Sequence, residues 1–294
     1  MQTIEGSPLP TSFGTRIEQA FAKYGQLCVG VDPHAQLLEE WGLPPTVEGL
    51  RSFANAVLDA SVGRVGIIKP QVAFFEMFGA KGFAVLEEFA ERAGESDILV
   101  IMDAKRGDIG STMQGYFEAW LGEQAPFICD ALTVSPFLGV GSMAEVMSEA
   151  LERGKGLFVL AATSNIEGKS VQRAKVGEAT LSQDILRQLE EINSISTAAG
   201  SKLGSFGAVI GATQNLSASG LASIQTDSAL TTPILAPGFG AQGAGLSDTR
   251  DLFQAGASRV IASVSRSVLT SGALGLASAI DAARIELRNG LAHD

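Results

Sequence analysis

Eight short apolar runs punctuate the chain, at residues 27–31, 65–69, 98–103, 128–134, 156–162, 206–211, 234–237 and 259–264. Each places apolar residues on successive positions instead of alternate ones, so neither face of the strand it predicts is meant for water. Between the runs the spacing becomes helical. Phe53, Val57 and Leu58 fall on one face of one segment, and Phe83, Leu86, Phe89 and Ala90 on one face of the next. Ser142, followed three residues later by Glu145, predicts a capping box at the start of the helix after the fourth run. Strands alternating with helices predict a parallel sheet flanked by helices, and eight such units in 294 residues fit one closed α/β barrel. The expected fold is therefore a (β/α)8, or TIM, barrel spanning residues 1–294 as a single domain. Residues 1–11 read as a loose tail. The stretch 172–200 is longer than one helix needs, which predicts a helix with an irregular lead-in.

Composition narrows the partners. With 46% hydrophobic and 18% charged residues, the chain has the make-up of a soluble globular protein. A formal net charge of −11 is the wrong sign for a surface that tracks nucleic acid, so any phosphate must be held locally. No apolar run reaches membrane-spanning length, and the opening residues show no secretory pattern, so no membrane partner and a cytoplasmic location are expected. Cys28 and Cys129 fall in predicted buried strands, where a thiol behaves as a small hydrophobe, and two thiols do not make a disulfide framework. His34 and His293 are too few and too far apart for a zinc site, so no metal is expected.

In a barrel of this kind the chemistry sits at the C-terminal ends of the strands, and those ends are polar here. Asp32 closes the first strand in VGVDP and Lys69 the second in GIIKP. The third runs into IMDAKRGDIGST, with Asp103, Lys105 and Asp108. Strand alternation points Asp103 and Lys105 the same way, into the barrel mouth beside Lys69. An isolated Asp-x-Lys is usually a solvated ion pair. Coincidence at three successive strand ends is harder to dismiss, since an ammonium directly after Ile67 and Ile68 is costly without carboxylates to compensate it.

A second constellation lies after the seventh and eighth strands: PGFGAQGAG at residues 237–245, then ASVSRS around Arg266. Barrels commonly hold phosphate there, with glycine N–H groups and a helix N-terminus facing the anion and an arginine as a bidentate partner. Gly238, Gly240 and Gly243 also match the dinucleotide pattern G-x-G-x-x-G. That reading needs an acidic residue about twenty positions on, at the end of the next strand, and residues 258–264 contain none. The tripeptide Arg106, Gly107, Asp108 resembles an adhesion signal, which has no meaning without secretion. Ser135 and Pro136 end the fourth strand, as a turn or as the pocket floor.

Taken in order, VGVDP, IIKPQVAFFE, DAKRGDIGST, AATSN, APGFGAQG and SRS resemble the orotidine 5′-monophosphate decarboxylases, in the branch whose third-strand motif reads DAKRGDIGST. The likeness covers essentially the whole barrel. It implies decarboxylation of a pyrimidine nucleotide, orotidine 5′-monophosphate, to UMP without cofactor or metal. It also implies that Lys69, Asp103, Lys105 and Asp108 form an alternating charge network, with Asp108 delivered into a neighbouring subunit's site. A homodimer follows, with Ile109 and Thr112 crossing the same interface and Thr112 reaching the ribose. By the same resemblance Asp32 binds ribose hydroxyls, Ser164 the pyrimidine edge, and Gln242 with Arg266 the phosphate. One position departs from the pattern: Ile166 stands where proline is expected. The nearest rival is a Mg2+-dependent sugar-phosphate decarboxylase or aldolase-type synthase sharing the Asp-x-Lys-x-x-Asp motif, and a different class again is a non-catalytic phosphate-binding barrel.

Overall fold

The computed structural model describes residues 10–197 and 200–292. Eight parallel strands close into a barrel: β1 (Leu27–Val31), β2 (Ile67–Pro70), β3 (Leu99–Arg106), β4 (Ala131–Val134), β5 (Gly156–Ala162), β6 (Phe206–Ile210), β7 (Ile234–Pro237) and β8 (Val260–Val264). Closure comes from β1, which pairs Cys28 with Ile67 on one side and Leu27 with Ala262 on the other. Helices on the outside connect the strands, as the alternating pattern predicts. The longer of the two helices between β1 and β2, Val47–Ser61, shows why these segments are helical. Thr46 accepts a hydrogen bond from the Gly49 amide at its start, and Leu50, Phe53, Ala54, Val57 and Leu58 make one buried stripe against the barrel.

Strand alternation sorts the barrel into two compartments. Leu27, Val29, Val31, Ile68, Val100, Met102, Leu132 and Val134 join the helices in an outer core. Cys28, Ile67, Leu99, Ile101, Ala131, Phe158, Val209, Leu235 and Ile261 belong to a separate inner one. Following the inward positions along each strand, apolar side chains give way to polar ones: Ile67 then Lys69, Leu99 and Ile101 then Asp103, Ala131 then Thr133. The inner apolar layer is thus the floor on which a charged layer stands.

The N-terminal end of the inner core is plugged by a helix that the sequence reading overlooks, Phe13–Tyr24. Ser12 caps it by accepting from the Thr15 amide, and Phe13, Ile17 and Ala20 face the barrel at helical spacing. The Phe13 ring meets Phe158 edge-on, with centroids 6.1 Å apart and planes at 83°. Gly156 makes room for it, since a Cβ there would stand 2.1 Å from Phe13 Cδ1. Arg16 fastens the helix laterally, donating to Asp130 at 2.5 Å.

Several expectations need correction. The capping box is absent: Ser142 donates to the Gly139 carbonyl inside a 3-10 turn, Val140–Met143, and the helix Ala144–Glu152 begins without a side-chain cap. The fourth strand starts at Ala131, so Ile128 is exposed and Cys129 lies before the strand, although still buried. Arg259 sits in a 3-10 turn ahead of β8, buried among carbonyls. Residues 172–200 do hold a helix, Leu181–Ser196, but its lead-in is a regular antiparallel hairpin pairing Lys175 with Thr180 and Val176 with Ala179. Of the expected loose tail, residues 1–9 lie outside the described residues, as does His293, while Thr11 packs on Gly154. Among the described residues, no helix is long and apolar enough to cross a membrane.

Candidate active site

Asp103, at the mouth end of β3, is the centre of the charged layer. Its Oδ2 accepts from Lys69 Nζ at 2.8 Å and from Gln71 Nε2 at 3.2 Å. Its Oδ1 accepts from Lys105 Nζ at 2.6 Å and from the Thr133 hydroxyl at 2.9 Å. Lys69, Gln71 and Thr133 stand at the ends of the two adjacent strands and Lys105 two residues on along β3 itself, so the barrel's register sets most of the geometry. The side chain of Lys69 is 8% exposed and that of Asp103 11%, whereas Lys105 is 45% exposed and reaches into the mouth.

Burial alone would lower the Lys69 pKa and raise that of Asp103. The opposite charges win in both cases. Asp103 and Asp32 hold Lys69 above the usual lysine range, and the two lysines hold Asp103 well below the usual carboxylate range. Both groups are therefore ionised at neutral pH.

Simple alternation does not account for Lys105. Its backbone is left-handed, with φ of 50°, and the pairing of β3 with β4 slips between Met102 and Arg106. A non-glycine residue in that region is uncommon and marks either strain or function. Here the Lys105 amide donates to Thr133 Oγ1 at 3.0 Å, and its Nζ also donates to Gln71 Oε1 at 3.3 Å. Gln71 and Thr133 thus tie Asp103 to Lys105, and neither is singled out by the sequence reading. Their signal was positional: each lies two residues beyond an inward position of its own strand end.

Asp32, just past β1, accepts from the Ser265 hydroxyl at 2.5 Å through Oδ2, while its buried Oδ1 has no hydrogen-bond partner among the described residues. After β7, two strands from β1 around the barrel, Gly238, Gly240 and Gly243 all take positive φ, and the loop closes through Gly240 N–H to Ala244 O at 2.8 Å and Gly243 N–H to Gly240 O at 2.9 Å. A Cβ on Gly240 would come within 2.5 Å of Ser267, so glycine is what lets this loop lie against the segment carrying Arg266. Arg266 and Gln242 are exposed, and the Arg266 guanidinium has no partner among the described residues. Ser164 donates to Gln242 Oε1 at 2.9 Å, joining the loop after β5 to the glycine loop.

The remaining predicted residues stand apart. Asp108 accepts from the following amide, that of Ile109, at 2.8 Å and makes no ion pair with Lys69 or Lys105 in this chain. Ile109 is 60% exposed and Thr112 is also exposed. The Ser135 amide continues the pairing with β3, donating to Arg106 O at 2.7 Å, and Pro136 opens a turn closed by the Gly139 amide at 2.8 Å.

A closed (β/α)8 barrel with a lysine-clamped carboxylate and a glycine-rich loop facing a free arginine at its mouth defines a class: barrel enzymes acting on small anionic substrates. Residues 25–278 match the model of the orotidine 5'-phosphate decarboxylase / HUMPS family, and the chain belongs to that family. It is 49% identical over 261 residues to the orotidine 5'-phosphate decarboxylase of a Nocardioides species, covering 87% of this chain and 91% of that one. To the enzyme of the same name from Streptomyces coelicolor it is 47% identical over 280 residues, covering 94% and 97%. Among solved structures, a candidate orotidine 5'-phosphate decarboxylase from Streptomyces avermitilis superimposes with a TM-score of 0.89 at 44% identity, covering all of both chains. The orotidine monophosphate decarboxylase of Leishmania donovani gives 0.71 at 27%, over 94% of this chain and all of that one.

Proposed function

We propose that this protein decarboxylates orotidine 5′-monophosphate to UMP, the last step of UMP synthesis, within a charge network centred on Asp103. The observation that carries the reading is the clamp on Asp103: one carboxylate held between two ammonium groups, one buried and one projecting into the mouth. The bond between C6 and the carboxylate breaks, CO2 leaves, and the electron pair stays on C6 in the ring plane, where the π system cannot take it up. Lys105 supplies the positive charge that stabilises this carbanion, then delivers its proton to C6 and recovers one from solvent.

Asp103 is the fixed negative charge against which the substrate carboxylate is pressed. At about 4 Å and an effective dielectric of about 20, two like charges repel by about 4 kcal/mol. Enzymes lower barriers by about 8 to 23 kcal/mol, so this repulsion contributes only part and the Lys105 cation the larger share. Repulsion also weakens binding, and the phosphate, remote from the reacting carbon, offsets it. Gln242, Arg266 and the glycine loop hold that phosphate. The unpartnered Asp32 Oδ1 is an acceptor for a ribose hydroxyl, and Ser164, next to Gln242, takes the pyrimidine edge. Asp108 completes the network from a second subunit of a homodimer, with Ile109 and Thr112 beside it.

No metal step is assigned. Both Asp103 oxygens already take two donors each, and two flanking ammonium groups disfavour a divalent cation at this carboxylate. The test is the ultraviolet absorbance of orotidine 5′-monophosphate with purified protein in EDTA, run beside Lys105→Ala. Rapid conversion in EDTA that disappears in the variant is expected. A folded wild-type protein that converts nothing in EDTA, but acts on sugar phosphates when Mg2+ is supplied, would overturn the reading.

A further inference from the structure

Resting on the reading of Lys105 as the proton donor, we infer that the Arg106–Glu76 pair is a positioning device that holds Lys105 in its left-handed backbone conformation. Lys105 and Gln254 are the two non-glycine residues among those described with positive φ, and Lys105 alone of the two belongs to a strand. Such a conformation is strained and persists only where the surroundings over-determine it.

The surroundings at Arg106 have that property. Its guanidinium reaches back to donate to the Ala104 carbonyl at 3.3 Å and sideways to Glu76, with which it forms an ion pair. It also lies 5.7 Å from the ring centroids of both Tyr116 and Trp120. The residues immediately before and after Lys105 are thereby stapled to each other. Glu76 belongs to the short helix Ala73–Glu76 that follows β2, and the two rings to the helix Gly110–Trp120 that follows β3. After the staple, the Arg106 carbonyl re-enters the sheet by accepting from the Ser135 amide at 2.7 Å, opposite Val134.

The slip in register between Met102 and Arg106 is therefore a small loop closed at both ends, with Lys105 at its crest. Arg106 faces the flanking helices and Lys105 the mouth, so Arg106 acts on the reaction only through where it puts the Lys105 ammonium. A fork donating to a carbonyl and a carboxylate while lying close to two aromatic rings calls for arginine, since lysine has neither the planar face nor the second donor arm.

The experiment compares wild type with Arg106→Met, Arg106→Lys, Glu76→Gln and Glu76→Leu, measuring kcat and KM for orotidine 5′-monophosphate and the stoichiometry and affinity of UMP binding. If Lys105 is released from its crest, kcat falls by about 10²-fold in Arg106→Met, the scale expected for a catalytic group misplaced by about 1 Å. UMP stoichiometry and affinity stay at wild-type values, because the phosphate, ribose and base contacts are untouched. Arg106→Lys and Glu76→Gln recover part of the loss, and adding Glu76→Leu to Arg106→Met changes kcat little further, as expected for one coupled unit. An unchanged kcat in Arg106→Met overturns the inference, and so does a loss that only tracks a fall in UMP-binding sites, which would mark the pair as merely structural. A wild-type protein that does not decarboxylate the nucleotide at all would instead overturn the proposed function, so the two failures are distinguishable.

Discussion

Asp103 sits between two ammonium groups, accepting from Lys69 on one oxygen and from Lys105 on the other. The carboxylate is 11% exposed and holds two cations, so Asp103→Asn leaves the buried Lys69 ammonium without its main counter-charge. Removing one partner of a buried pair costs about 3–5 kcal/mol, and a loss of that order is expected in urea denaturation at neutral pH. The pH dependence has a fixed sign. Asp103 is depressed below its unfolded value of about 3.9, so its contribution is complete above that pH and is lost as pH falls through the lower folded value. Lys69 is raised, so its contribution is complete below about 10.4 and is lost as pH rises past it. The stability gap between wild type and Asp103→Asn should therefore be at full size just above about pH 5 and narrow in acid; a gap that widened in acid would contradict the assignment. The sequence made Lys69, Asp103 and Lys105 visible because charges at the ends of apolar runs stand out. It hid Thr133 and Gln71, because a hydroxyl or an amide next to a strand end reads as an ordinary turn.

At the scale of elements, legibility followed burial. All eight strands were marked by short, mostly apolar runs, since a strand covered on both faces keeps its polar residues mainly to the mouth end. Boundaries drifted where an apolar residue lay outside the sheet, as at Ile128, or where the strand ran on past the apolar run through an irregular stretch, as from Ala104 to Arg106. The plugging helix was overlooked because only Phe13, Ile17 and Ala20 face inward, in a segment that looks like a polar N-terminal extension. Its role separates stability from chemistry. Phe13 is fully buried against Phe158 at the end of the barrel opposite Asp103, and Phe13→Ala should cost about 3–5 kcal/mol of folding stability. Among molecules that remain folded, kcat/KM should stay within about twofold of wild type, since independent sites add. A thermal melt paired with activity per UMP-binding site checks both. A large drop in kcat/KM at full occupancy would show that the inner core transmits packing from floor to mouth.

For the whole molecule, the question is whether one chain carries a complete site. Within the chain the network ends at Lys105, while Asp108 rests on its own neighbour's amide outside it. The segments after β2, β3 and β4, which are consecutive in the barrel, expose Met77, Ile109, Phe137 and Leu138 at the same end as the mouth. Large apolar side chains left in water beside a half-finished charge network are what a two-fold interface would cover. If Asp108 serves the partner's site, Lys105→Ala and Asp108→Ala are each inactive as homodimers, yet a heterodimer of the two contains one site with both Lys105 and Asp108 intact. Random assortment of equal amounts places half the chains in heterodimers with one good site in two, so dissociating and reassociating the mixture should restore roughly a quarter of wild-type activity per site. The recovered activity should appear only after subunit exchange and should depend on protein concentration as the dimer does. If Asp108 serves its own chain, every site in every combination lacks one of the two groups, and no exchange protocol can restore turnover.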